Sequence, residues 1–292
     1  MGQFLKLHET PDNFRQALSF TEAESGFAQR LIEKDYYCSL ILADFECLFA
    51  NGLVFKGGTC LSKVHAGFYR LSEDLDFAIS IPMTANRQKR REAVAPVKRH
   101  LEEIAERLPA LGISNKLIGK LESRQYQALL QYESVVTGEH ETVKVEVAVR
   151  EPVIESPVFR DGRTLLRHPV PRETPDAPLS LCVLTLNEAY AEKVRAALTR
   201  DPPAIRDLFD IADAVRAGRL DFCGPRFLDL VRQKLAIPGN AVIDTSEARR
   251  RSLENQLESH LKPVLRRSDY AAFDIERAFA EVEKLAAMIQ DD

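Results

Sequence analysis

A short apolar segment that ends in two glycines, followed by a pair of aspartates, constrains the fold of this chain most. Val54–Lys56 has the character of a buried strand, and Gly57 and Gly58 follow it directly. A glycine pair lets the backbone approach a phosphate without a Cβ and point its N–H groups at the charge. Asp74 and Asp76, sixteen and eighteen residues after Gly58, alternate with apolar residues, so both carboxylates leave a strand by one face. Carboxylates next to a phosphate-binding glycine turn can bind Mg²⁺ together with a nucleoside triphosphate. The pattern therefore predicts nucleotidyl transfer.

The composition is that of a globular protein. The 292 residues allow one large or two ordinary domains, with 45% hydrophobic and 29% charged residues. The five cysteines are scattered without a Cys-x-x-Cys pair, which indicates reduced, packed thiols rather than disulfides or a zinc site. No apolar run reaches the roughly 18 residues that cross a bilayer, and the first residues do not resemble a signal peptide. We therefore expect a cytoplasmic protein with no membrane partner.

The charge distribution limits how the chain could bind nucleic acid. A net charge of −4 argues against a protein that coats a polyanion with its whole surface. Local basic clusters remain at residues 87–91, 98–100, 249–251 and 266–267. Each alone is best interpreted as a solvated helix face, because acidic residues accompany the basic ones. Several clusters together could still bind a polyanion of the size of tRNA.

The apolar periodicity divides the chain into a sheet-forming first half and a helical second half. After helices over residues 12–50, strands are predicted at 53–56, 75–81, 116–121, 126–136 and 143–149. The proline-rich stretch 150–178 predicts an irregular connection, and the residues beyond it are helical throughout. The expected class is α+β, with domains at residues 1–180 and 181–292 and an active cleft between them.

Two local predictions concern helices in the first half. Thr59 is a suitable N-cap for a helix over residues 59–69, directly after the glycines. Pro96 lies inside the charged segment 86–109, where we expect it to kink the helix or divide it in two.

A third acid is a candidate to join the aspartate pair. Glu146 lies between Val145 and Val147 in an alternating strand pattern, as Asp74 and Asp76 do in theirs. Metal-dependent phosphoryl transfer often uses three carboxylates on one face. Glu146 is therefore interpreted either as a third metal ligand or as an acid on the solvent face of a half-buried strand.

Four segments carry glycines, acids and lysines in a defined order along the chain: Lys56-Gly57-Gly58-Thr59-x-Leu61-x-Lys63, Arg70-x-Ser72-Glu73-Asp74-Leu75-Asp76, Glu188-x-x-x-Glu192-Lys193-x-x-Ala196 and Arg206-Asp207-Leu208-Phe209-Asp210. In this order they resemble the motifs of the AbiEii/AbiGii-type nucleotidyltransferases, which are toxins of type IV toxin–antitoxin systems in the polymerase-β-like superfamily. The helix with Glu33-Lys34-Asp35 is also similar to theirs. The resemblance covers about residues 30–215.

The resemblance implies a fold and a set of roles. The fold would be a polymerase-β-like mixed-sheet core with N-terminal helices and a C-terminal helical bundle, in two lobes. The catalytic residues would be Asp74, Asp76, Lys193 and Asp210, and Asp74, Asp76 and Glu146 would hold Mg²⁺ or Mn²⁺. The nucleotide-binding residues would be Lys56, Gly57, Gly58, Thr59, Lys63, Arg70, Ser72 and Asp207. Asp207 and Asp210 share one helical face. They would orient Lys193, bind the base and sugar, or be solvated or arginine-paired acids.

The resemblance also implies a reaction and its partners. The protein would transfer a nucleoside monophosphate from an NTP to the 3′ end of tRNA and release pyrophosphate, and a cognate antitoxin would neutralise it. Two alternatives remain open at this point: nucleotidylation of a small molecule or a protein by the same metal site, or a catalytically idle module that binds NTP or a partner. No base-reading motif indicates which NTP is used.

Overall fold

The computed structural model describes residues 3–150, 152–170 and 179–291. Its contacts divide the chain into two units, Met1–Leu184 and Thr185–Asp292, which we call the sheet unit and the helical unit. Of the prolines in the predicted irregular connection, Pro171, Pro175 and Pro178 lie outside the described residues. Among the described residues, the helices are too short or too polar to cross a bilayer.

The sheet unit begins with helices and continues as a meander of strands and short helices. Its α-helices are α1 (Pro11–Ser25), α2 (Gln29–Asp44), α3 (Glu46–Phe49), α4 (Gly57–Cys60), α5 (Arg87–Glu102) and α6 (Ile104–Arg107). Its strands are β1 (Leu53–Lys56), β2 (Asp74–Ile79), β3 (Gly112–Lys120), β4 (Gln125–Glu133), β5 (His140–Ala148), β6 (Val158–Gly162) and β7 (Leu179–Val183). A 3₁₀ segment (Gln3–Glu9) precedes α1, and a π-helical turn (Leu61–His65) continues α4.

Within the described residues the strands form one seven-stranded mixed sheet in the order β3-β4-β5-β2-β1-β7-β6. The pairs β2–β5 and β1–β7 are parallel, and the others are antiparallel. The predicted α+β class with a mixed sheet is confirmed. The parallel register places Asp74 opposite Lys144 and Asp76 opposite Glu146, so β2 and β5 present these side chains on the same face.

The core of the sheet unit is aromatic and encloses most of α2. Phe77 on β2 packs between Phe45 and Phe55, with ring centroids 5.3 and 5.5 Å away, and Tyr37 stacks on Tyr132 at 3.8 Å. Because α2 is covered on nearly all sides, its polar residues need partners. Glu33 has them, since its carboxylate accepts hydrogen bonds from the Ser134 hydroxyl and the Val135 N–H.

The helix after the glycines begins earlier than predicted. It starts at Gly57 with Lys56 as the N-cap residue, and the helical turns end at His65. The prediction of Thr59 as N-cap is wrong: Thr59 lies inside the helix and donates its hydroxyl to the Asp74 carbonyl. The earlier start is possible because Gly57 adopts φ +78°, a left-handed conformation that disfavours residues with a side chain.

Two further predictions for the sheet unit are wrong in part. Pro96 does not divide the helix in two, because α5 runs through it from Arg87 to Glu102. Pro96 and Glu92, whose carbonyl loses its helical donor there, are both exposed, so water can replace the missing hydrogen bond. The stretch 150–178 is not wholly irregular either, since it contains β6, which pairs with β7.

The helical unit contains α7 (Leu186–Thr199), α8 (Ile205–Arg216), α9 (Pro225–Leu235), α10 (Glu247–Glu254), α11 (Arg267–Ala271) and α12 (Ile275–Gln290). Three of its helices have an N-cap residue whose side chain accepts a hydrogen bond from the backbone N–H three residues later: Thr185, Ser246 and Asp274. Threonine, serine and aspartate are favoured at this position. Apolar faces of α7, α8, α9 and α12 form its core.

A buried lysine connects two helices of this unit. Lys234 on α9 lies 2.6 Å from a Glu188 carboxylate oxygen and 3.2 Å from one of Glu192, both on α7. Only 1% of the Lys234 side chain is exposed, and Glu188 is fully covered. Breaking a buried pair leaves an uncompensated charge, which costs far more than breaking a pair at the surface.

We predict that Lys234→Met destabilises the protein by about 3 kcal/mol, because Glu188 would keep a buried charge without its ammonium partner. The matched control is Lys262→Met, which removes an exposed pair with Glu258 and should cost less than about 0.5 kcal/mol. Urea unfolding of both variants measures the difference. Equal losses in the two variants would contradict the assignment of Lys234 as a structural cation.

Candidate active site

The glycine turn and the aspartates meet at the end of β1. The antiparallel register of β1 and β2 places Lys56 opposite Asp76, and the chain turns into α4 at Gly57. A Cβ at Gly57 would lie 2.3 Å from Asp76 Oδ2, a distance that no real side chain could occupy. The backbone at Gly57 therefore lies directly against the Asp76 carboxylate, and only glycine allows this approach.

Gly58 makes an equally close approach to two polar side chains. A Cβ there would lie 2.5 Å from an Arg70 guanidinium nitrogen and 3.1 Å from Ser72 Oγ. Arg70 is almost fully buried and donates to the Leu71 carbonyl, while Ser72 is half-buried. The structure thus brings Lys56 and Gly57 to Asp76, and Arg70 and Ser72 to Gly58. The nucleotide-binding roles of these residues stay predictions.

Three carboxylates, which we call the acid row (Asp74, Asp76 and Glu146), lie side by side on β2 and β5. Burial, followed by the charges of Glu146 and Asp74, raises the pKa of Asp76 to about 6. Lys144 partly offsets this charge: its Nζ lies 2.9 Å from Asp74 Oδ2 and 3.8 Å from Glu146 Oε2. Although burial opposes it, the Asp74 carboxylate holds the pKa of Lys144 above its usual value.

The acid row suits a divalent cation, although its three members do not converge. Among the described residues, no three acidic, histidine or cysteine side chains are placed to enclose a metal ion. Hard carboxylate oxygens and an excess of negative charge are nevertheless what Mg²⁺ requires, and Mg²⁺ commonly uses one or two protein carboxylates together with substrate phosphates. The donor set fits through Asp74 and Asp76, whereas Glu146 adds charge beside Asp76.

Lys63 does not face a nucleotide. Its Nζ lies 2.7 Å from an Asp35 carboxylate oxygen and donates to the Ser39 hydroxyl at 2.7 Å, with no part of the side chain exposed. Asp35 also accepts from the Leu165 N–H. Because an enclosed, paired ammonium has no path to a phosphate, the structure corrects the predicted nucleotide-binding role: Lys63 anchors the helical turn after the glycines to α2.

Thr59 is corrected in the same way. Its residue is 1% exposed and its hydroxyl is engaged by the Asp74 carbonyl, so it connects α4 to β2 rather than presenting a group to a ligand. Both corrections have one cause. The sequence shows that a polar residue follows the glycines, but only packing decides whether that residue faces outward or inward.

Within the helical unit, Lys193 is held between two carboxylates. Its Nζ lies 2.7 Å from Asp207 Oδ1 and 2.9 Å from Asp210 Oδ2, and Asp210 is fully covered. Although burial opposes it, Lys193 and then Arg200 hold the pKa of Asp207 below its usual value. Among the interpretations of this acid pair, the structure contains contacts for the orientation of Lys193 and, at 3.3 Å from Asp207, for a pair with Arg200.

Sequence reasoning missed two features next to the acid row. The first is Lys144, whose place in the alternation Val143-Lys144-Val145-Glu146 could have shown that it shares a face with Glu146. The second is an ionic network beside Asp74, in which Lys34 contacts Glu73 at 3.1 Å and Arg30 contacts Glu141 at 2.7 Å. No sequence signal joins residues so far apart.

A mixed sheet whose glycine turn packs against strand-borne carboxylates defines a nucleotidyltransferase. The chain belongs to the AbiEii family of nucleotidyltransferase toxins of type IV toxin–antitoxin systems, because the family model "Nucleotidyl transferase AbiEii toxin, Type IV TA system" matches residues 40–285. The predicted family is thereby confirmed, and it implies an antitoxin partner. No curated protein matches the chain.

Two solved structures of Helicobacter pylori proteins are similar to the chain. JHP933 is 14% identical with a TM-score of 0.49, and the match covers 91% of this chain and 94% of that protein. A candidate nucleotidyltransferase is 15% identical with a TM-score of 0.48, and the match covers 87% of this chain and 92% of that protein.

We predict that Gly57→Ala destabilises the protein by more than the strain of its left-handed φ alone, because the new methyl group would collide with Asp76. The matched control is Gly138→Ala, at φ +73° in a position where nothing lies within 4 Å of the added Cβ. Strain alone costs about 1 to 2 kcal/mol, so thermal unfolding should show that cost at Gly138 and clearly more at Gly57. A smaller loss at Gly57 would contradict the close approach.

We predict that Asp76→Asn stabilises the metal-free protein at pH 7.5. The folded state raises the pKa of Asp76 to about 6, so the folded chain binds this proton more tightly than the unfolded chain does. The ionised carboxylate therefore lowers stability progressively as the pH rises from about 4 to above 6, by about 2 kcal/mol in total. Urea unfolding in a chelator should show the gain at pH 7.5 and almost none at pH 4. A variant that is no more stable than the parent at pH 7.5 would contradict this.

Proposed function

We propose that the protein uses Mg²⁺, or Mn²⁺ in its place, to transfer a nucleoside monophosphate from an NTP to the 3′ end of tRNA, with release of pyrophosphate. The observation that carries the proposal is the contact between the Gly57 backbone and the Asp76 carboxylate. This contact supports the proposal because nucleotidyl transfer needs phosphate-binding groups and a cation within one nucleotide, and the proposed groups for both lie side by side here.

Asp74 and Asp76 would hold the metal, which would neutralise triphosphate charge and lower the pKa of the attacking hydroxyl. The chain's own contribution is to position the nucleotide. The N–H groups of the Gly57–Gly58 turn and the Ser72 hydroxyl lie together and would receive the β- and γ-phosphates. Arg70, buried beneath Gly58, holds the turn in place and adds positive charge under it.

Lys193 would stabilise the negative charge of the departing pyrophosphate. An ammonium held at 2.7 and 2.9 Å by Asp207 and Asp210 cannot rotate freely, so it is already oriented before substrate binds. Its 13% exposure leaves a face for a ligand. Asp210, fully covered within the helical unit, acts through Lys193 as a positioning residue.

An RNA acceptor is supported by charge on the sheet unit as well as by the family resemblance. Helix α5 carries a group of exposed basic side chains: Arg87, Lys89, Arg91, Lys98 and Arg99. A basic helix face on a protein of net charge −4 is the kind of local patch that binds a polyanion. The cognate antitoxin would keep this transfer in check in the cell.

We predict that incubation with each α-labelled NTP and total RNA labels tRNA at its 3′ end, and that Asp74→Ala lowers labelling at least about a hundredfold. The matched control is Asp229→Ala, which removes an exposed acid on α9 and should leave labelling unchanged. Parallel reactions with a protein extract and with small-molecule acceptors test the other nucleotidylation reactions. Labelling of a protein or a small molecule in place of tRNA would show that tRNA is not the acceptor. NTP binding without pyrophosphate release would overturn the proposed transfer altogether.

A further inference from the structure

A lysine ammonium lies at the position in the acid row where a metal would need carboxylate oxygens. Lys144 on β5 is opposite Asp74 in the parallel register, and its Nζ contacts Asp74 Oδ2 at 2.9 Å and approaches Glu146 Oε2 at 3.8 Å. The side chains of Lys144, Asp74 and Glu146 are between 26% and 31% exposed. The Lys144–Asp74 ion pair therefore lies at the surface rather than in the core.

A structural role explains this pair poorly. An ion pair of this exposure contributes little to stability, since water screens it and two long side chains must be ordered. Elsewhere in the protein, pairs that support the fold are enclosed, as Lys63 with Asp35 and Lys234 with Glu188 are. Lys144 differs from them because solvent reaches it and because its partner is a predicted metal ligand.

The charges around Lys144 come from both neighbouring strands. Asp74 and Asp76 face it from β2 and Glu146 from β5, and each of the three raises the affinity of the position for a cation. Asp76 is additionally influenced by Lys56 at the end of β1. Without Lys144, the row would hold three carboxylates whose mutual repulsion a bound cation would relieve.

We propose that Lys144 is an internal cation that competes with Mg²⁺ for the Asp74 carboxylate, so that the metal binds tightly only together with a nucleoside triphosphate. The proposal rests on the function proposed above. A triphosphate offers the displaced ammonium new anionic partners, whereas a free metal ion offers none. The backbone of Lys144 is held in β5 by its pairing with Asp74 and Leu129, while the long side chain is free to rotate toward those phosphates.

The competition predicts a change in metal affinity that can be measured without any reaction. Mn²⁺ binding, followed by electron paramagnetic resonance in the absence of nucleotide, should be about fivefold to tenfold tighter in Lys144→Met, which corresponds to about 1 to 1.4 kcal/mol. Lys144→Arg keeps the charge and should bind Mn²⁺ as the parent does. Lys116→Met removes an exposed charge on β3, which is separated from β5 by β4, and controls for a general electrostatic effect.

A second measurement tests the coupling to nucleotide. Non-hydrolysable analogues of the four NTPs should raise Mn²⁺ affinity more in the parent than in Lys144→Met, because only the parent has an ammonium to displace. Lys144→Gln serves if the Met variant does not fold.

The outcomes separate this inference from the proposed function. Equal Mn²⁺ affinity in the parent and Lys144→Met, with binding abolished in Asp74→Asn, would overturn the competition and leave the metal site standing. Tighter binding in Lys116→Met to the same extent would also overturn it. Mn²⁺ binding that Asp74→Asn does not weaken would overturn both the competition and the proposed metal site.

Discussion

The close approach of the Gly57 backbone to the Asp76 carboxylate is the contact on which the site depends. Chain direction, register and residue type must all agree for it to form, because β1 and β2 pair so that Lys56 lies opposite Asp76 and the chain turns immediately afterwards. A residue with a side chain at Gly57 would push the helix away from the strand. The proposed sites for phosphate and for metal would then separate, and they could no longer act on the same nucleotide.

Ion pairs stabilise each of the two units, and they differ in how deeply they are buried. The enclosed Lys63–Asp35 pair fixes the helical turn after the glycines to α2, and the enclosed Lys234–Glu188 pair joins α9 to α7. Lys193 is less deeply buried than these two lysines. Its two aspartates are covered, while the lysine side chain itself is 13% exposed. Two lysines of the motifs, Lys63 and Lys193, are thus paired with aspartates, and exposure decides which of the two remains accessible to a ligand.

In the acid row, by contrast, the negative charge is only partly neutralised by nearby lysines. Three carboxylates on adjacent strands are more than the protein neutralises, which is why burial and repulsion raise the pKa of Asp76. Lys144 offsets part of this charge from a solvent-accessible position. A site with residual negative charge and a mobile counter-ion can accept a cation without rearrangement of the sheet, because only a side chain has to move.

Much of the sheet unit could be predicted from sequence, for definite reasons. Strand β1 has the predicted limits, and the predicted alternation holds in β2, where Asp74 and Asp76 share a face, and in β5, where Glu146 lies between buried valines. This alternation is a local property, because consecutive residues of a strand point to opposite faces whatever the strand pairs with. The pairing of β5 with β2, sixty-odd residues earlier in the chain, is not local, and so Lys144 was missed as a neighbour of Asp74.

The sequence by itself determined the family motifs, the mixed α+β character and the proximity of glycines to acids along the chain, because each depends on residue type and short spacing. Only the tertiary structure decided which polar residues face the site. Lys63 and Thr59 turned inward because partners on α2 and β2 were placed to receive them, while Lys144 turned toward Asp74. A charged side chain takes the nearest opposite charge or hydrogen-bond partner, and folding, not sequence distance, determines which partner that is.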